Sequence, residues 1–399
     1  MKIARIIVSL VNVPFVAPIR WSGGANQDWT RIVVEMETDD GLVGLGETLG
    51  GSVTKALIET EIAPMFLGEN PFDIERMRAK ATFVPLYYGK CGYCAVAALE
   101  LACWDIMGKA SNQPLCRLLG GRLHSEIPFA AYLYHRNAND RGEGRVDSLE
   151  DVVARAEELV ARHGFTTLKY KGGVKTPEEE IAILRALRDR FPHARLRYDP
   201  QAIYSPATAI RIGKAIEPLD LEYYEDPCWG HLAMARVRKA VRIPFASNMA
   251  VIDLDSAAEG IALKSVDVIL GDICEWGGIS AMQKLKGACE MFQVNLNFHS
   301  AGELGITAAA YLHVAASCQS LPHALDTHIT ELSGDIIGPG VIGLTERGTM
   351  RVPEGPGLGV TLDRDLFEVA KDAYRRSGDK SVYAEDEARA GVIPVKSML

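Results

Sequence analysis

Thr166-Thr167-Leu168-Lys169-Tyr170-Lys171-Gly172-Gly173 is β-branched, aromatic and apolar between its charges, and two glycines release the backbone at its end, so it reads as a short strand. Side chains on a strand alternate faces, which puts Lys169 and Lys171 on the same side. Two ammonium groups that close repel each other and disfavour the charged form. The lysine nearer the mouth of a partly dry site could then be neutral near pH 7 and take a proton from carbon. A K-x-K on a strand is more often a solvated face, so the rest of the chain has to decide.

Working outward from that strand, the texture is periodic. Strand-like runs recur at 127–133, 166–171, 194–199, 220–225, 244–248, 267–272, 294–299 and 322–326, with helical segments between them. One such segment is 149–163. Another opens Thr176-Pro177-Glu178-Glu179, a capping residue, a proline at the first helical position and acids in the first turn. Strands alternating with helices predict an α/β parallel barrel, with a doubly wound sheet as the alternative. No phosphate-gripping glycine loop follows the early strands, which counts against a dinucleotide fold.

Before the barrel, residues 3–13, 31–38 and 42–47 read as an antiparallel sheet with a turn at Asp39-Asp40-Gly41. The stretch Pro18 to Asn26, with two glycines and the pair Arg20-Trp21, has the composition of a binding flap. From Val53 to Leu119 the pattern is helical until Gly120-Gly121. The expected organisation is an α+β domain over 1–123, a barrel over 124–345, and a segment over 346–399 that returns to the first domain.

The totals narrow the function. The chain has 399 residues, 48% of them hydrophobic, and a net charge of −9 without any block of consecutive Lys or Arg, which argues against a nucleic acid or an anionic membrane as partner and for a small molecule. Its 8 cysteines lack the spacing of a disulfide framework and read as free thiols of a cytoplasmic protein; Cys91-Gly92-Tyr93-Cys94 has no second pair and is no zinc knuckle. Residues 1–16 carry Asn12 and Pro14 inside their apolar run and suit a strand better than a secretion signal, and no stretch approaches the roughly 20 apolar residues of a membrane span.

In a parallel barrel the C-terminal ends of the strands meet at one mouth. Here those ends read Lys169 and Lys171, Asp199, Glu225, Asn248, Asp272, His299, then Asp326-Thr327-His328. From Lys171 to His299 the successive gaps are 28, 26, 23, 24 and 27 residues, one strand-helix unit each. Asp199, Glu225 and Asn248 offer a hard divalent cation three oxygens, which favours Mg²⁺, with Mn²⁺ as a substitute, over zinc. Asp272 and His299 end neighbouring strands, close enough for the carboxylate to fix the tautomer of the imidazole and make it a second acid or base.

These residues resemble the enolase superfamily over nearly the whole chain. Trp104-Asp105-Ile106-Met107-Gly108-Lys109 and Leu118-Leu119-Gly120-Gly121 are similar to its capping-domain signature. The K-x-K with its glycines, Asp199-Pro200, Glu225-Asp226-Pro227-Cys228, Ser247-Asn248-Met249 and His299-Ser300 are similar to the glucarate dehydratase group among the mandelate racemase and muconate lactonizing enzyme relatives. The resemblance implies a modified TIM barrel of (β/α)7β type, its capping domain completed by the C-terminal segment. It implies a Mg²⁺-dependent acid-sugar dehydratase, in which an α-proton is removed through a metal-stabilised enediolate and β-elimination of water gives a 2-keto-3-deoxy acid.

In that scheme Lys171, helped by Lys169, takes the proton. His299 with Asp272 serves the opposite face and protonates the leaving hydroxyl. A racemase or epimerase of a hydroxy or sugar acid would use the same two bases, and a barrel that only binds metal is the non-enzymatic alternative. The chain departs from the glucarate group where Ala301-Gly302 follow the His-Ser, where Gln201-Ala202 follow Asp199-Pro200, and in lacking any histidine before His124. Tyr132, His328, Arg20 and Trp21 are the expected replacements as substrate contacts, and a homo-oligomer is expected.

Overall fold

The computed structural model describes residues 1–380 and Asp386. The first domain is built on β1 (Ile3–Trp21), β2 (Gly24–Thr38) and β3 (Val43–Leu49), an antiparallel meander. The 21-residue helix Lys90–Ala110 lies across it. Gly44 and Gly46 share one face of β3, and a Cβ on either would sit 2.2 Å from the Ala102 carbonyl or 1.9 Å from that of Ala98. Small residues on both partners therefore let strand and helix backbones touch. By length and composition this helix could cross a membrane, contrary to the sequence expectation, but 78% of its most apolar stretch is buried inside the molecule. It is a core helix.

After the short β4 (Glu126–Pro128) the barrel begins. Its strands are β5 (Ala131–Arg136), β6 (Thr167–Lys171), β7 (Arg195–Asp199), β8 (Tyr223–Glu225), β9 (Phe245–Ser247), β10 (Val268–Gly271) and β11 (Asn295–Phe298), all parallel and in sequence order. A helix follows each. The helix Leu149–His163 is closed by a Ser148 capping box and Pro177–Arg190 by one at Thr176.

Two expected strands differ. The run at 127–133 divides: β4 turns away to pair antiparallel with β12 (Thr349–Arg351), and only β5 enters the barrel. The run at 322–326 forms no regular strand. Leu325 bridges Phe129, Asp326 N donates to Phe298 O at 3.2 Å, and Ala130 N donates to Leu325 O at 2.8 Å. These few bonds close the ring between β11 and β5, and Pro322 and Pro128 beside them leave little backbone free to extend the ladder.

Strand alternation sorts the barrel's side chains. Tyr170, Tyr198 and Tyr224 stack on one face, with ring centroids 5.8 and 5.3 Å apart. Lys169, Arg197 and Tyr223 are register partners on the other face, as are Lys171 and Asp199 one pleat higher. The barrel interior is thus a column of charge.

The two domains share one sheet. Ile19 and Arg20 of β1 pair antiparallel with Arg136 and His135 of β5, so the expected flap is the end of a long hairpin whose turn is Ser22-Gly23. The helix Arg364–Ser377 returns to the first domain, where Arg364 pairs with Glu35 at 2.7 Å and Ser377 accepts from Asn12 at 2.9 Å. The rest of the expected return, 381–399 apart from Asp386, lies outside the described residues.

Candidate active site

A cavity of about 350 Å³ opens at the C-terminal ends of the strands. Of the residues singled out in the sequence, Lys171, Asp199, Asn248, His299, Trp21 and His328 line it together. Lys169, Glu225 and Asp272 sit directly behind that wall and touch its members.

The charges interlock. Lys171 Nζ lies 2.5 Å from Asp199 Oδ2, and Lys169 Nζ lies 2.5 Å from both Glu225 Oε2 and Asp326 Oδ2 and 3.8 Å from Asp199. Asp326 also pairs with Arg197 at 3.1 Å. Burial alone would lower Lys171, but Asp199 and then Glu225 hold it above its ordinary pKa. The expected depression by Lys169 is therefore corrected: carboxylates from the neighbouring strands outweigh the like charge. Burial also acts on Asp199, yet Lys171 and Lys169 keep it at about 2, while burial and the adjacent Asp199 drive Glu225 well above the carboxylate range.

That pair of carboxylates fits a cation. Glu225 is fully buried, and among the described residues neither carboxylate oxygen has a hydrogen-bond partner of good geometry, Oε2 lying 2.5 Å from the Lys169 ammonium off the hydrogen-bonding direction. Buried carboxylate oxygens left in this state call for a positive centre. Asp199 beside it and Asn248 on the cavity wall complete an all-oxygen donor set that suits Mg²⁺. Asp226 is occupied elsewhere: it accepts from Ser247 Oγ at 2.6 Å and from the Asn248 and Met249 amides, and so shapes the loop that presents Asn248.

His299 Nδ1 lies 3.0 Å from Asp272 Oδ2. Burial would raise Asp272, but the histidine and the Glu275 amide hold it low. Nε2 is thereby the nitrogen free to exchange a proton. The ligand atoms of Asp272, Glu275 and His299 also fall within 4.8 Å of one another. Lys90, from the first domain, supplies the positive charge there, its Nζ 2.5 Å from Glu275 Oε1.

The expected substrate contacts divide. Trp21 lines the cavity and donates Nε1–H to Asn26 at 2.7 Å. Arg20, two faces of one strand being opposed, points away from the cavity and is buried between Asp147 at 2.5 Å and Asp386 at 2.9 Å. Tyr132 is not at a strand end, because β5 runs on to Arg136. It is fully buried beneath the lysines, its ring centroid 5.1 Å from Lys169 Nζ and 5.2 Å from Lys171 Nζ. Tyr134, two residues on and on the same face, lines the cavity in its place. Tyr134, Gln201 and Ser300 also line the wall and were not expected as site residues: Tyr134 falls one residue beyond the expected strand 127–133, and Gln201 and Ser300 figured only as neighbours of Asp199-Pro200 and His299.

Two family models match the chain: mandelate racemase / muconate lactonizing enzyme, N-terminal domain, over residues 3–120, and enolase C-terminal domain-like over residues 151–366. A protein of Streptomyces coelicolor named as a probable glucarate dehydratase is 35% identical over 87% of this chain and 86% of its own length. The arabinonate dehydratase of Saccharolobus solfataricus is 29% identical over 88% and 92%. An enolase from Thermobispora bispora crystallised with magnesium and formate superposes with a TM-score of 0.93 at 33% identity, covering 100% of both chains.

Proposed function

The chain belongs to the enolase superfamily, matched in both of its domains, and from that premise we propose that it is a Mg²⁺-dependent dehydratase of an acid sugar. The observation that carries the reading is that Lys171 and His299, each with its own buried carboxylate partner, line the same cavity as Asp199 and Asn248. Probable glucarate and arabinonate dehydratases among the relatives support the substrate class.

Asp199, Glu225 and Asn248 would hold Mg²⁺, which supplies the positive charge that makes removal of a proton next to a carboxylate feasible. A positioned base alone contributes about 10²–10⁴, far short of the ~10⁶ or more that enzymes reach. Lys171 is the base toward the α-carbon and is freed for that role when Asp199 turns its oxygen to another partner. Lys169, tied to Asp326 and Glu225, positions the wall behind it. His299 serves the other face, its tautomer set by Asp272. Trp21 and His328 line the cavity that would take the substrate.

The test is a panel of mono- and di-acid sugars assayed with Mg²⁺ for 2-keto acid and, in D₂O, for deuterium at the α-carbon. Formation of 2-keto acid, lost by about 10²-fold or more in K171A, is the expected result. Deuterium exchange with epimer formation and no keto acid would make the enzyme an epimerase acting through the same residues. No reaction with any of the panel would refute the proposal.

A further inference from the structure

In ring order, Asp199 and Glu225 end β7 and β8, and Asn248 directly follows β9. The opposite arc is the segment after β11, the closing segment and β5. These three contribute Ser300, His328 and Tyr134 to the cavity wall, between His299 on one flank and Lys171 on the other.

They are joined in one buried hydrogen-bonded line. Ser300 Oγ lies 2.6 Å from Glu303 Oε2 and 2.7 Å from His328 Nδ1, and His328 Nε2 lies 2.9 Å from the Tyr134 hydroxyl. The Gly302 amide donates to His328 Nδ1 at 3.2 Å, so that nitrogen carries no hydrogen and Nε2–H donates to Tyr134. Tyr134 is then left with its own O–H to offer to the cavity. Its residue is the register partner of Lys171, whose Nζ is 5.9 Å from the Tyr134 ring centre. The end of the line farthest from the cavity is Glu303, buried and 7% exposed.

Resting on the dehydratase reading above, we infer that Tyr134 is a catalytic acid and that His328, Ser300 and Glu303 form the proton wire behind it. Tyr134 donates to a β-hydroxyl leaving on the Lys171 side of the cavity, a syn elimination that leaves the opposite face to His299. Lys171 takes the α-proton and becomes an ammonium. The C–H pair forms the enediolate and then the new C=C bond, and the C–O pair departs with oxygen as water, using the Tyr134 proton. The phenolate takes Nε2–H of His328, Nδ1 takes the Ser300 hydroxyl proton, and Ser300 takes the Glu303 carboxyl proton. One proton is gained at Lys171 and one lost at Glu303, and exchange with water between turnovers restores both.

The wire needs a loaded source, and burial pushes the Glu303 carboxyl up to about 8. The charged and titratable groups around it are Arg31 from β2 and Asp272 at the end of β10, with Glu47 and Cys274 bound to Arg31 and His328 reached through Ser300. His328 is held well below its ordinary value by burial and then by Lys171 and His299, so it passes protons as a neutral ring. The source is protonated below about pH 8 and empty above it, so the rate of syn dehydration falls as pH rises through that value.

The experiment compares wild type, Y134F and E303Q with the acid sugar selected by the screen above, following 2-keto acid and α-deuterium separately in D₂O. For the syn-eliminating epimer, Y134F is expected to lose keto acid by about 10²–10⁴ while Lys171-dependent α-exchange survives. E303Q should lose at least about tenfold together with the alkaline limb near pH 8. Equal loss of exchange and elimination in Y134F, or an unchanged alkaline limb in E303Q, would overturn the wire. Should the screen yield no substrate, the dehydratase reading fails on its own. The wire is then judged on the ligand-free protein by the infrared band of a protonated carboxyl that titrates near pH 8 and is absent in E303Q; no such band overturns it.

Discussion

At the scale of single residues, the barrel's interior depends on Asp326. It binds the Lys169 ammonium at 2.5 Å and the Arg197 guanidinium at 3.1 Å, and all three are fully or almost fully buried. Removing it takes one carboxylate from each of two buried cations, leaving Lys169 with Glu225 at 2.5 Å and Arg197 with Glu222 at 2.6 Å, so D326A is expected to destabilise the fold by about 1–3 kcal/mol in chemical denaturation, against a much smaller effect of an exposed control such as D372A. The sequence showed Asp326 at a strand end but not what it holds, because the partners come from β6 and β7. The same blindness explains Lys171. Its repulsion by Lys169 is visible two residues away, whereas Asp199 reaches it only through register pairing of two strands. Tyr132 was misplaced more simply: the face was right and the strand's end was set too early.

At the scale of elements, what local chemistry dictates was legible. The capping boxes at Ser148 and Thr176, with Pro177 at the first helical turn, need no partner beyond a few residues, and both helices start there. The closing segment was not, since its place in the ring is fixed by isolated bonds to Phe298, Pro128 and Ala130 rather than by a periodic pattern. The two glycines of β3 carry the sharpest element-scale expectation. A Cβ at Gly46 would lie 1.9 Å from a helix carbonyl, so G46A must push the helix Lys90–Ala110 off the sheet. It should cost about 1–3 kcal/mol or more in urea unfolding. Because Lys90 at the head of that helix reaches Glu275 on the cavity wall, substrate KM should rise as well.

At the scale of the whole molecule, the two-part organisation could be read from the change in periodicity, but the way the parts are fastened could not. Arg31 of β2 pairs with Glu47 of β3 at 2.7 Å and donates to Ala301 O at 3.1 Å, and Glu47 accepts from the Leu304 and Thr307 amides at the head of the helix Gly305–Ala316. A buried ion pair of the first domain thus caps a barrel helix and braces the loop carrying His299. Calorimetry is expected to show one unfolding transition, and E47Q should move that transition down as a unit, by the about 3–5 kcal/mol of a broken buried pair, without splitting it in two.

The backbone seam between β1 and β5 leads further. Ile19 and Arg20 belong at once to the covering sheet and, through Arg136 and His135, to the staves of the barrel. A roof nailed to the staves cannot tilt as a rigid plate unless main-chain bonds break. Admission of a guest by a swing of the whole roof would have to undo that seam, whereas the hairpin tip at Ser22-Gly23 lies beyond it.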